Sequence, residues 1–199
     1  MKYSVIAKTI LQLQQADLQL RDQLIQKRLL GKGHHPAMEK LHNENAQKLA
    51  KIMNDIGYPT IAKVGKEASD AAWLIIQHAI SQPAFMKKCL QSLREAVKNQ
   101  EANPKNVAYL SDRIATFEDQ PQLYGTAFDW DESGQLSPKP FNDLEKVNQR
   151  RKSLGMNTLE EQTKLMRQRA KKEYEEPPAD FEQRKQEYNV WRRKVGWIK

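Results

Sequence analysis

The chain has 199 residues, of which 29% are charged and 39% hydrophobic, and its formal charge at pH 7 is +8. This composition predicts a polar-surfaced domain with an appendage and excludes a membrane-spanning helix, because no run approaches the ~20 apolar residues that a bilayer requires. A lone cysteine, Cys89, excludes an intrachain disulfide and a thiolate zinc site, and its spacing from Phe85 and Leu93 predicts a buried small hydrophobe.

Helical patterns follow one another through the first 117 residues. Apolar periodicity, with glycines and prolines between the periodic segments, predicts five helices, over about 3–30, 36–56, 60–80, 83–99 and 104–117. The first of these ends at Gly31-Lys32-Gly33, Gly57 stops the second, and Thr60 is a candidate N-cap for the third.

The pattern then changes to the chain's one β signal. Segments 122–130 and 135–141 flank Asp131-Glu132-Ser133-Gly134, which predicts a hairpin. Helices resume near residue 142, and a capping pattern begins at Thr158. We therefore expect a mainly α fold, a multi-helix domain with one small β-hairpin and a helical C-terminal extension.

Three segments follow from this pattern. Residues 1–35 form an N-terminal helix, residues 36–170 a helical domain with the hairpin at 122–141, and residues 171–199 a basic helical extension after a break at Pro177-Pro178. The last helix either packs through its aromatic residues, which we favour, or forms a separate basic arm.

The positive charge is uneven but mixed with acidic residues. Residues 141–199 contribute +5 and residues 1–140 contribute +3, and alternating signs are typical of a solvated, self-paired helix face. Only Arg192-Arg193-Lys194, between Trp191 and Trp197, is typical of a phosphate-binding cluster. The partners that we expect are a small anionic ligand or a protein, rather than nucleic acid or a membrane, and no pattern indicates an oligomeric state.

Localisation follows from the N-terminus. Lys8 and several glutamines interrupt its apolar positions, so it lacks a secretory hydrophobic segment. A cytoplasmic protein is the expectation, although a protein delivered into another cell without a cleaved signal would have the same N-terminal character.

Polar residues on apolar helix faces indicate a lined cavity. His42 and Asn45 fall on the apolar arc of the second helix, and His78 lies on the flank of the third, near its C-terminus, while Gln77 is predicted to face water. We interpret His78 and His42 as catalytic, with Asn45 binding substrate. The alternative for each is a packing or capping side chain that neighbouring backbone satisfies.

A second polar set follows in the later segments. Asp112 and Arg113 lie off the apolar stripe of the fifth helix, as a solvated surface pair or as an anion clamp in which Asp112 orients Arg113. Gln122, Tyr124 and Thr126 alternate, so on a strand their side chains would project to one side and bind substrate.

No motif indicates a metal or a cofactor. The sequence has no HExxH, no Cys cluster and no phosphate-binding glycine fingerprint, so we assign no metal ligand and expect no cofactor. A zinc or iron site would need His42 and His78 together with a carboxylate from a distant segment.

An ordered set of motifs resembles a bacterial family classed as a domain of unknown function (number 6624). The motifs are His42-Asn43-Glu44-Asn45, Gly57-Tyr58-Pro59-Thr60, Val64-Gly65, 72–78, 108–113, Gln122-Leu123-Tyr124-Gly125-Thr126, Val147-Asn148-Gln149-Arg150-Arg151 and Leu154-Gly155-Met156. The similarity covers roughly residues 36–166. The resemblance implies that these segments share one domain architecture, and it carries no activity.

Two functions remain open. The first is a small, cofactor-independent hydrolase or transferase acting on a phosphate- or carboxylate-bearing ligand, with His78 as general acid/base and Arg113 holding the anion. The second is a non-catalytic helical adaptor or immunity-type protein. Convergence of polar side chains on a solvent-reachable cavity would favour the first, and separate satisfaction by backbone would favour the second.

Overall fold

The computed structural model describes residues 3–27, 29, 35–173 and 176–199. Over these ranges the chain is mainly helical with one antiparallel hairpin, which confirms the predicted fold class. Clustering of contacts divides it into two compact units, Met1–Asn106 and Val107–Lys199. The elements are α1 (Ser4–Gln26), α2 (Pro36–Ile56), α3 (Ile61–Val64), α4 (Lys66–His78), α5 (Pro83–Lys98), α6 (Pro104–Phe117), β1 (Phe128–Trp130), β2 (Leu136–Pro138), α7 (Leu144–Ser153), α8 (Leu159–Lys172) and α9 (Phe181–Val195).

The first unit is built around α4, which packs against α1, α2, α3 and α5. Its buried face carries Ala68, Ala71 and Ala72 beside Ile75 and Ile76, and the small side chains let neighbouring helices approach closely. From α1 the buried apolar residues are Ala7, Ile10, Leu13 and Leu24. The core of this unit therefore lies where α1 and α2 cross α4.

Two helices of this unit differ from the sequence prediction. The helix predicted over 60–80 is divided at Gly65, whose φ of +83° lies in a region that L-residues with a side chain rarely adopt. Gln77, predicted to face water, is buried at 3% exposure. The first helix ends at Gln26, and its predicted stop at Gly31-Lys32-Gly33 lies outside the described residues.

The second unit contains the hairpin, whose strands are shorter than predicted. Phe128 pairs with Pro138 and Trp130 with Leu136, and α8 packs against β2. Residues 122–127 do not extend β1, because side chains rather than a neighbouring strand take up most of their backbone groups. The exceptions are Gln122, which forms an isolated bridge with Phe141, and the carbonyl of Ala127, which also accepts from the backbone N–H of Lys139 at 3.0 Å.

The C-terminal helix α9 packs within the second unit, in agreement with the favoured prediction. The ring of Phe117 lies 5.6 Å from that of Trp191 and 4.8 Å from that of Trp197, measured between centroids. Arg192 is buried and donates to the carbonyl of Phe117 at 3.0 Å and to Asp119 at 2.6 Å. These contacts tie the end of the chain to the end of α6.

The helices were compared with what a membrane span requires. Within the described ranges, none combines the length and the apolar character that crossing a bilayer requires.

Candidate functional site

Three helices of the first unit bring together one aspartate and two histidines. Asp17 lies on the buried stripe of α1, four residues after Leu13, and is 1% exposed. His42 comes from α2, and His78 is the last residue of α4. Asp17, His42 and His78 are called the Asp17 cluster below.

The carboxylate of Asp17 contacts both imidazoles. Its Oδ1 lies 3.1 Å from Nε2 of His42, and its Oδ2 lies 2.6 Å from Nδ1 of His78. The two rings are 4.9 Å apart between centroids and inclined at 40°. One carboxylate therefore fixes the position and tilt of two imidazoles from separate helices.

This arrangement keeps Asp17 ionised. Burial opposes its charge, but the hydrogen bonds from His42 and His78 and their charges outweigh burial and hold the pKa of Asp17 well below its usual range. The buried anion can in turn stabilise a positive ion beside the two rings.

Hydrogen bonds around the cluster hold its helices in register. Asn45 donates from Nδ2 to the carbonyl of Leu13 at 3.0 Å, which joins α2 to α1 one turn from the cluster. Ser81 and Gln82, just beyond α4, donate to Oδ1 of Asn43 at 2.8 and 2.9 Å. The segments adjoining His42 and His78 are thereby tied together.

Both imidazoles of the Asp17 cluster are partly exposed to solvent. His42 and His78 are 15% and 26% exposed, and across the described ranges His42 Nδ1 and His78 Nε2 make no hydrogen bond to protein. The donor atoms that Asp17, His42 and His78 direct at one another all lie within 4.8 Å, close enough to hold one metal ion. A ligand from solvent can thus reach a buried anion through two imidazoles.

The structure brings the two predicted catalytic histidines together and adds Asp17, which sequence reasoning missed. The sequence did contain a sign of Asp17: it is a carboxylate within the apolar stripe formed by Ile10, Leu13 and Leu24. Asn45, predicted to bind substrate, uses its amide on the backbone of Leu13.

In the second unit, the predicted binding residues hold a loop. Asp112 is fully buried and accepts from the backbone N–H groups of Leu123, Tyr124 and Thr126 at 2.9 to 3.2 Å, and from the Thr126 hydroxyl at 3.0 Å. Burial raises the pKa of Asp112, against the lowering effect of these hydrogen bonds. Its solvated-pair alternative is wrong, because the carboxylate is enclosed.

Gln122 and Arg151 complete this arrangement. The Gln122 side chain accepts from the N–H of Ala127 at 2.6 Å and donates to the carbonyls of Ala127 and Lys139. Arg151 donates to the carbonyls of Tyr124 at 2.8 Å and Asn157 at 2.6 Å. Asp112, Gln122 and Arg151 are called the loop clamp below, because they hold residues 122–127 through backbone groups.

Gly125 allows the backbone of residues 122–127 to lie close to Leu159 of α8. Its φ is +63°, and a Cβ atom there would lie 2.7 Å from Cδ1 of Leu159. The loop therefore approaches α8 more closely than a residue with a side chain would allow.

Arg113 is the residue predicted to bind the anionic group of the substrate. As a whole residue Arg113 is of intermediate exposure, burial of its guanidinium lowers its pKa, and it forms no ion pair with a described residue. Asp112 does not orient it, since the carboxylate is engaged by the loop. The role of Arg113 as an anion ligand stays a prediction, as does that of the Tyr124 side chain.

Two cavities of about 640 and 420 Å³ open on the second unit. The larger is lined by α8 and the residues around β2, and the smaller by hairpin residues and Tyr188. Neither is lined by Asp112, Gln122 or Thr126, whose polar atoms are already bound to the loop.

Comparison with known proteins identifies the family. The model of a family of unknown function, DUF6624, matches residues 5–172, so the chain belongs to that family. No curated protein and no solved structure matches it. The match includes Asp17, His42 and His78, so the cluster lies within the family domain.

Proposed function

We propose that this member of a family of unknown function is a small hydrolase or transferase acting on a ligand that bears a phosphate or a carboxylate. Its reaction centre is the Asp17 cluster, where a water or hydroxyl nucleophile is activated. The observation that carries the proposal is a buried carboxylate that contacts two imidazoles, both of which are partly exposed to solvent.

A purely structural network would be built differently. The polar atoms of a histidine that only fills the core are buried and bonded to protein groups or to ordered water. His42 and His78 instead use one nitrogen each on Asp17 and leave the other free of described protein partners. Their rings also sit side by side, so both can reach a single bound molecule.

The charge of the first unit supports an anionic ligand. Residues 1–106 contain 16 Lys and Arg against 9 Asp and Glu, so they account for +7 of the total +8. A positive field of this kind raises the local concentration of phosphates and carboxylates around a reaction centre. Asp17 does not repel such ligands strongly, because it is shielded beneath the two rings.

The reaction balances without an electron carrier. The nucleophile's O–H proton passes to the cluster as its oxygen forms a bond to phosphorus or to a carbonyl carbon. The bond to the leaving group then breaks, and the leaving group departs with a proton. Water as nucleophile gives hydrolysis, and a second substrate's hydroxyl gives group transfer.

The test is an activity screen followed by substitution at the cluster. Purified protein is assayed against phosphate mono- and diesters and acyl amides, and the best substrate is used for variants. We expect Asp17→Asn and His78→Ala each to lower kcat/KM by at least about 100-fold, the usual range for losing an acid/base group. Asp22→Asn, at an exposed acid on α1, and His35→Ala, at the N-cap of α2, are the matched controls.

The adaptor alternative makes the opposite prediction. If the chain only binds a partner, His78→Ala will change no turnover, and no substrate in the screen will separate the wild type from the cluster variants. Circular dichroism on each variant confirms that a loss of turnover does not come from unfolding.

A further inference from the structure

We infer that Asp17, His42 and His78 form the binding site of one divalent transition-metal ion, of the zinc, iron(II), manganese or cobalt class. This inference deepens the proposed function, on whose reaction centre it rests, by naming what activates the nucleophile. In the metal-bound form of the centre His78 is a ligand, so the nucleophile loses its proton to solvent when it coordinates, and the leaving group takes a proton from solvent.

The geometry of the donors is the first argument. The carboxylate oxygens of Asp17, Nε2 of His42 and Nδ1 of His78 converge, with all donor atoms within 4.8 Å of one another. Bonds of about 2.0–2.2 Å from each donor to a central ion place neighbouring donors roughly 3.0–3.6 Å apart. The 2.6 Å contact between Asp17 and His78 would therefore lengthen, and the widest donor separation would shorten, when an ion binds. Small rotations of the imidazoles would open the space that an ion needs.

The chemistry of the donor set is the second argument. Two imidazoles and one carboxylate are the ligands of catalytic zinc sites and of non-haem iron(II) sites. Calcium and magnesium prefer oxygen ligands, so a set dominated by nitrogen selects against them. Three protein ligands also leave coordination positions open, and the partial exposure of both rings lets water or substrate fill them.

Preorganisation is the third argument. The ligands come from three helices that pack against one another, and Asn45 fixes α2 to α1 beside the cluster. Asn43 binds Ser81 and Gln82, which holds the chain on either side of the two histidines. A site held by its supporting hydrogen bonds binds an ion without ordering a loop.

The ion changes what the centre can do. A bound divalent metal polarises an anionic oxygen of the substrate and lowers the pKa of a coordinated water to about 7. With the ion present, the local charge of the cluster changes from −1 to +1 when both imidazoles are neutral. The positive unit surface and a positive centre would then attract the same anionic ligand.

The experiment measures binding without any substrate. The protein, without a histidine tag, is stripped by a chelator and titrated with Co²⁺, with absorbance and calorimetry as readouts. We expect one ion per chain and the intense visible bands of cobalt in a four- or five-coordinate site. Zn²⁺ should displace the cobalt and abolish those bands.

Substitutions assign the ligands. Asp17→Asn, His42→Ala and His78→Ala should each weaken Co²⁺ binding by at least about tenfold and shift the bands. Asp22→Asn and His35→Ala should bind like the wild type. His78→Gln, which keeps a polar side chain, serves if the alanine variant does not fold.

Two results would overturn the inference. One is a cobalt spectrum that stays that of the hydrated ion, and the other is full binding by the cluster variants. Failure of the proposed function is distinguishable, because it would leave the cobalt bands intact while the substrate screen shows no turnover. If turnover survives chelation without loss, the metal does not activate the nucleophile, and the inference fails while the proposed reaction stands.

Discussion

The Asp17 cluster and the loop clamp use the same kinds of residue for different ends. Each is centred on a buried aspartate surrounded by hydrogen-bond donors. The partners of Asp112 are three backbone N–H groups and the hydroxyl of Thr126, all within the second unit, whereas those of Asp17 are imidazoles whose other nitrogens bond no described protein group. Buried polarity therefore indicates a reaction centre only where the hydrogen bonds end on side chains that have unused capacity.

The largest effect on stability should come from Asp112→Ala. This substitution leaves three backbone N–H groups of the loop without an acceptor, and each buried orphan costs about 1–3 kcal/mol. We expect a loss of roughly 3–5 kcal/mol in the free energy of unfolding, measured by urea titration. Asp143→Ala, which removes an exposed N-cap in the same unit, should cost about 1 kcal/mol. Equal effects from the two variants would contradict the clamp.

Arg151→Met should cost somewhat less, because methionine fills part of the same space. It removes the donors to the carbonyls of Tyr124 and Asn157, which still have lone pairs for water. The expected loss is about 2–4 kcal/mol in the same urea titration. Arg150→Met is the neighbouring control, since Arg150 is half-buried and makes one long bond of 3.3 Å to Leu123. A small effect at Arg151 would show that residues 122–127 keep their conformation without the hydrogen bonds from Arg151.

Histidine substitutions in the cluster should behave in the reverse way. His78→Ala removes one of the two imidazole contacts of the buried Asp17 and leaves that of His42, so it should cost about 1–3 kcal/mol in stability, less than Asp112→Ala. The same variant should lose at least about 100-fold in turnover. If the variant is destabilised as strongly as Asp112→Ala, the Asp17 cluster has a structural role like that of the loop clamp.

The smallest effect concerns the alkaline stability of the second unit. Burial raises the pKa of Tyr188 from 10.0 to about 12, against the lowering effect of Arg192. Because the folded-state value is raised, the stabilisation is complete below about pH 10 and is lost as the pH rises towards about 12. The free energy of unfolding of Tyr188→Phe should fall less between those two pH values than that of the wild type, because phenylalanine has no proton to lose. Ultraviolet titration of tyrosinate in the folded protein checks the pKa itself, and an ordinary value would refute the packing of α9 over this phenol.

The sequence determined most of the helices through local rules. Pro36, Pro83 and Pro104 each begin a helix at the first positions, where a missing N–H costs nothing. Thr158 and Glu161 form the capping box that their spacing predicts. These features depend on residues within one turn of each other, so no tertiary information is needed to place them.

Only the tertiary structure decided which polar residues belong together. Asp17 lies 25 residues from His42 and 61 from His78, so no periodicity relates them, and their meeting depends on how α1 and α2 pack on α4. Gln122 and Thr126 are predicted as ligands because their alternation fits a strand. In the structure the Gln122 side chain bonds backbone groups of the loop, and the Thr126 hydroxyl donates to the carboxylate of Asp112. A sequence states that a side chain is polar, but the packing of helices determines whether its partner is backbone, another side chain or a ligand.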